Sequence, residues 1–254
     1  LAGLAPEERV QLMAVDLQAV PLTESLVAPN SRQIEEAIEQ LEARVPLGST
    51  DMQGALLAAA ERLISADQNP HAVVYLGDGM SAANLLGTDA FAQLTQQLAD
   101  AKISVSSYPV GPKIDRQLLG ALAGQTGGVV VEKSPQAGRD LAAAAHATVW
   151  WPKDISWPEG TTVYPTPMPP LRSDRDTVVV GTAEEDVPSE VTLSATGPGG
   201  SEEFSWTVPP CESNEDNNYL VRLVDRAKLD GGVSLPLIGT ESLAQARQAV
   251  NVGV

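Results

Sequence analysis

The chain has 254 residues, 43% of them hydrophobic and 19% charged, enough for one large domain or two ordinary ones. Its 33 acidic and 16 basic residues give a net charge of -17, and both halves share the excess. A nucleic-acid binder needs a basic face to neutralise phosphates, and so does a protein that docks on an anionic membrane, so neither partner is expected. The single cysteine, Cys211, excludes an internal disulfide and a cysteine-rich metal site. No stretch is long and apolar enough to cross a bilayer as a helix, and the first residues do not read as a signal peptide.

In chain order, Leu1 to Glu8 reads as a helix tail broken at Pro6. Such an opening suggests that sequence is missing upstream. Arg9 to Asp16 is an apolar strand closed by an acid. Val20 to Leu26 is a weaker strand, which Pro21 confines to an edge. Asn30 and Gln33 resemble a capping box that opens a helix. Ile34, Ala37, Ile38, Leu41 and Val45 would be its buried face, with Glu35, Glu36, Glu39 and Glu42 solvated. A loop, Pro46 to Asp51, leads into a helix from Met52 to Ala66, buried through Leu56, Leu57, Ala60, Leu63 and Ile64.

The apolar run Ala72-Val73-Val74-Tyr75-Leu76 then ends in Gly77-Asp78-Gly79. A run of this kind fits a parallel strand buried on both faces. Such sheets place ligands at the carboxyl ends of their strands. A helix over Thr88–Lys102, a strand over Ile103–Val110, a helix over Asp115–Thr126 stopped by Gly127-Gly128, a short buried strand Val129–Val131 and a helix over Gly138–Thr148 follow. Strands alternating with helices imply an α/β, doubly wound, mostly parallel sheet. No G-x-G-x-x-G fingerprint supports a dinucleotide site.

Near Val149 the pattern changes. Trp150, Trp151 and Trp157 among many prolines read as a linker whose tryptophans pack a domain junction. Thr177–Thr182, Glu190–Ala195 and Glu203–Val208 read as strands of a small antiparallel β-rich domain, with turns at Asp186–Ser189 and Gly197–Gly200. Asn217–Lys228 reads as a helix stopped by Gly231-Gly232, and Thr240–Val250 as a last helix. The expected organisation is an α/β domain over residues 1–148, a β-rich sandwich-like domain over 149–232 and a helical tail over 233–254.

Two loop tips carry chemistry: Thr50 in Gly48-Ser49-Thr50-Asp51, and Asp78 after the following strand. A hydroxyl and a carboxylate can share a hard cation such as Mg²⁺. The plainer readings are Thr50 as a helix cap and Asp78 as a turn residue. His71 and His146, the only histidines, have no serine or cysteine partner at a nucleophile's spacing. Cys211 reads as an incidental thiol. No enzyme signature emerges.

The ordered set is similar to a von Willebrand factor type A domain, in the bacterial and inter-alpha-trypsin-inhibitor heavy-chain branch. Gly48-Ser49-Thr50-Asp51 resembles the family's Gly-Gly-Thr-Asn/Asp loop. Leu76-Gly77-Asp78-Gly79 resembles its Thr-Asp-Gly loop, with Gly77 in place of threonine. Arg9–Asp16 resembles its second strand, and Val163-Tyr164-Pro165 resembles a motif of the β-rich extension. The resemblance implies a domain lacking its first strand, with Mg²⁺ or Mn²⁺ held at a metal-ion-dependent adhesion site by Thr50, Asp78 and an Asp-x-Ser-x-Ser motif. Asp16 does not supply that motif, because Gln18 and Val20 stand where serines are needed. The implied function is a non-catalytic adhesion module of a larger secreted or envelope protein. It would bind a protein partner through that partner's acidic side chain. The alternatives are an assembly scaffold with a vestigial site, and a hydrolase on an α/β core.

Overall fold

The first strand run is interrupted early. In the computed structural model, which describes residues 1, 3–45, 48–66, 70–183, 189–209, 217–233 and 235, Leu1–Glu8 forms turns instead of a helix tail. Leu4 N–H donates to the Leu1 carbonyl at 3.0 Å and Glu8 N–H to the Ala5 carbonyl at 3.1 Å. Pro6 disfavours helical backbone at Ala5, which explains the break. Strands β1 (Met13–Val15) and β2 (Ala19–Pro21) make an antiparallel hairpin. They are shorter than their apolar runs, and Val10 meets Val27 only at an isolated bridge.

Helix α1 (Arg32–Glu42) starts one residue later than expected, with Ser31 at the cap and no side-chain capping bond. That shift moves Gln33 off the third helical position, so the Asn30–Gln33 box is not made. Ile34 and Ala37 are buried, but Ile38, Leu41 and Val45 are exposed. Among the described elements, none packs extensively along α1 to cover them. Helix α2 (Met52–Ile64) buries Met52, Ala55, Leu56 and Ala60 and leaves Ile64 exposed.

Strand β3 (His71–Gly77), helix α3 (Thr88–Asp100) and strand β4 (Ile103–Pro109) form a strand–helix–strand unit, with β3 and β4 parallel from His71–Ile103 to Gly77–Pro109. Phe91, Leu94 and Leu98 are the buried face of α3. Strand β4 is buried from Ile103 to Ser107, and Ser107 makes a parallel bridge to Val130. The expected strand Val129–Val131 is reduced to that bridge. Strand β3 departs from the expectation of burial on both faces. Only Tyr75 is buried, while Val74 is 41% and Leu76 63% exposed. Among the described residues β3 has one neighbour, β4, so its far edge has nothing to cover it. Helices α4 (Arg116–Thr126) and α5 (Ala137–His146) complete this half of the sequence.

The chain divides into two compact units, Leu1–Arg116 with Val130–His146, and Gln117–Val129 with Ala147–Val254. The second is organised by strand β5 (Val149–Ser156), in the stretch expected to be a linker. Pro152 sits at the irregularity between Pro152 and Asp154 in the β5–β9 ladder, where a missing donor is tolerated. Strands β6 (Thr162–Tyr164), β7 (Leu171–Arg172), β8 (Val180–Thr182), β9 (Ser189–Gly197) and β10 (Gly200–Val208) follow. The order β10-β9-β5-β7 is a four-stranded antiparallel sheet, and β6 pairs with β8.

Alternation gives the larger sheet two chemically different faces. Val191, Leu193 and Ala195 of β9 are buried, and their cross-strand partners are Trp206, Phe204 and Glu202. Trp150 packs edge-on against Phe204 at 5.8 Å within this sheet. Arg172 is buried. It forks onto Asp174 at 2.7 and 2.6 Å and donates to the Gly127 carbonyl at 2.6 Å. Gly127, at φ +67, ends α4, and a Cβ there would lie 2.8 Å from Val149. Helix α6 (Tyr219–Ala227) packs Val224 and Ala227 with Val180 and Leu235. The expected turn at Asp186–Pro188, Cys211 and the expected helix Thr240–Val250 lie outside the described residues.

Candidate functional site

Three strands, β1, β3 and β4, send their carboxyl ends into loops that are tied to one another by hydrogen bonds. Asp51 N–H donates to the Asp16 carbonyl at 2.8 Å, and Ala83 N–H donates to the Thr50 carbonyl at 3.1 Å. Met52 N–H donates to Ser81 Oγ at 3.2 Å, and that hydroxyl donates to the Asn84 carbonyl at 2.6 Å. Asp115 N–H donates to the Asp78 carbonyl at 2.8 Å. The loops bearing Thr50 and Asp78 are therefore joined by hydrogen bonds.

The cap of α2 is Asp51, not Thr50. Asp51 Oδ1 accepts from Gly54 N–H at 2.9 Å and from Asn84 Nδ2 at 3.3 Å. A carboxylate at this position satisfies one orphan N–H and suits the positive end of the helix dipole. This corrects the plainer reading of Thr50. Its hydroxyl, half-buried, has no hydrogen-bond partner among the described residues. Asp51 and Asn84 are neighbours of the candidate site that the sequence expectation did not include. The signal for Asp51 was present, an Asp directly before the apolar helix run; nothing local marks Asn84.

Asp78 follows β3 as an Asx turn, its Oδ1 accepting from Met80 N–H at 2.9 Å. Its second oxygen faces Gly111, whose φ is +138; a Cβ there would sit 3.1 Å from Asp78 Cβ. A side chain at 111 would crowd Asp78, so the glycine keeps that approach open. Beside these loops, the Arg44 guanidinium donates to Asp16 at 2.8 Å and, with the Gln18 N–H, holds the Asp16 carboxyl below its usual range. Asp16 is thereby occupied as an ion-pair partner.

A hydroxyl and a half-engaged carboxylate are donors of the kind a hard cation takes. They do not make a carboxylate cage. Among the described residues no group of three or more His, Cys, Asp or Glu is placed to hold a metal. His71 lies at the opposite end of β3. Both its ring nitrogens are buried without hydrogen-bond partners among the described residues, and burial lowers its pKa from the ordinary value. It is no part of this site.

Residues 1–131 match the von Willebrand factor type A domain. The chain belongs to that family. The type A fold is also seen in solved structures. A von Willebrand factor type A protein from Catenulispora acidiphila superposes with a TM-score of 0.59 at 15% identity, over 89% of this chain and 65% of that one. The human COPII-coat protein Sec24c gives 0.57 at 14% identity, over 91% of this chain and 43% of that one. The chain thus spans less than two thirds of either. A manganese-loaded TRAP protein from Plasmodium vivax gives 0.44, too distant for its metal to bear on this chain. No curated protein matches in sequence. The type A family accounts for the α/β part, a parallel pair with flanking helices, followed by the antiparallel β-rich part. Among the described residues no helix is long and apolar enough to cross a membrane.

Proposed function

We propose that this type A domain chain is a non-catalytic protein-interaction module whose loops at the carboxyl ends of β1, β3 and β4 bind a partner through a divalent cation, Mg²⁺ or Mn²⁺. Thr50 and Asp78 are its ligands in this chain. The observation that carries the reading is the division of labour between neighbours: Asp51 takes the helix cap, which leaves the Thr50 hydroxyl free on a loop bonded to the Asp78 loop. The cation supplies a positive centre for an acidic side chain of the partner. Without it, a chain of net charge -17 repels that partner. No Asp-x-Ser-x-Ser segment stands in this chain, so Thr50 and Asp78 would be only part of the ligand set.

The test is a Mn²⁺ titration followed by electron paramagnetic resonance on the protein at its natural length. Thr50→Ala and Asp78→Ala should each weaken binding at least about tenfold with an unchanged circular dichroism spectrum. Equal affinity in all three proteins overturns the assignment. A second reading, a scaffold with a vestigial site, draws on one observation: Asp78 Oδ1 is already spent on the Met80 N–H. That reading gains if Mn²⁺ shows no affinity at all.

A further inference from the structure

Among the described residues strand β10 is an edge of its sheet. It runs nine residues against β9 in unbroken register, from Gly200–Gly197 to Val208–Ser189. Among the described residues no strand pairs with its other side. The two-residue loop Pro198-Gly199 closes on the Gly197–Gly200 pair, a hydrogen-bonded one in such hairpins. The even-numbered residues of β10 therefore turn their N–H and C=O towards β9. Ser201, Glu203, Ser205 and Thr207 turn theirs outward. Natural edges are blunted by bulges, prolines or lysines, and β10 has none of these.

The side chains at this edge have one charge and one shape. Glu202 and Glu203 are the strand's only charged residues. On the apolar face, Phe204 and Trp206 lie stacked at 5.9 Å with an interplanar angle of 9°. Trp206 and Val208 are each 45% exposed. Stacked aromatic faces attract ammonium and guanidinium groups as well as apolar side chains.

We propose that β10 is the acceptor edge for an extended, basic segment of a partner protein, which adds as a strand and alternates lysine or arginine with apolar residues. Backbone pairing supplies the ladder. Apolar side chains of the added strand share the face of Phe204, Trp206 and Val208, and cationic ones share the opposite face with Glu203. Charge selects this occupant over a second copy of the chain, because two copies at -17 each repel. The site is independent of the cation proposed above, so either can fail alone.

The test uses a short synthetic peptide alternating lysine with valine, its binding followed by tryptophan fluorescence and by amide shifts in β10. Binding should weaken about tenfold in Trp206→Ala. It should weaken as salt rises from about 0.05 to about 0.5 M. It should be lost when alternate peptide nitrogens are methylated. EDTA should leave it unchanged. Equal binding by the methylated peptide, or by one with glutamate for lysine, overturns the proposal. So does a dimer in light scattering whose interface maps to β10. Should Trp206→Ala misfold, Glu203→Gln together with the methylated peptide gives the same decision.

Discussion

Strand β3 carries a continuous apolar run and β9 an alternating one, and their apolar residues meet opposite fates. Tyr75 is buried in β3, but Val74 and Leu76 stand exposed; in β9 Leu193 and Ala195 are fully buried. The difference is in neighbours. Strand β9 lies between β10 and β5, whereas β3 pairs with β4 alone among the described residues. Hydrophobicity states what a strand would gain by burial, but only a second neighbour and a covered face deliver it.

Mutations can break this contrast. Leu193→Ala should cost the most, about 3 kcal/mol, as a cavity in a fully buried position. Arg172→Ala in β7 of the same sheet should cost about 2 kcal/mol. It strips the Gly127 carbonyl of its donor, while Asp174, 40% exposed, can rehydrate. Asp51→Ala should cost about 1 kcal/mol by removing the α2 cap. Leu76→Lys should lie within about 0.5 kcal/mol, since Leu76 is already largely in water. Urea unfolding of each variant checks the order. A Leu76 variant as damaging as Leu193→Ala would show that β3 is covered in solution.

A pH series sharpens the same comparison. Burial lowers the His71 pKa, so the unfolded chain binds a proton that the folded chain does not. Stability should therefore fall as pH drops below the unfolded value of about 6.5, and the slope should end once the folded value is passed. His71→Phe should flatten that limb. Asp16 acts lower: its stabilisation by Arg44 is present above the unfolded value of about 4 and lost as pH falls through the lowered folded value.

Much of the fold was legible in sequence because its signals are local. Helical periodicity at Phe91, Leu94 and Leu98, the glycine stop at Gly127, the Pro198-Gly199 hairpin and the strand ending at Asp78 each rest on spacing or on one residue's backbone preference. The family resemblance was legible too, from the order of the loops rather than from any one of them. Three features were not. Val149–Ser156 is a strand because β7 and β9 flank it, although its prolines read as a linker. Asp51, not Thr50, takes the α2 cap, and Asn84 joins it from another loop. Leu76 is exposed on a strand that, among the described residues, has β4 as its one neighbour. Sequence by itself determined which residues prefer helix, strand or turn, since those preferences act within a few residues. Tertiary structure alone decided which preferences are fulfilled by burial and which polar groups are left unspent, because both depend on partners far along the chain.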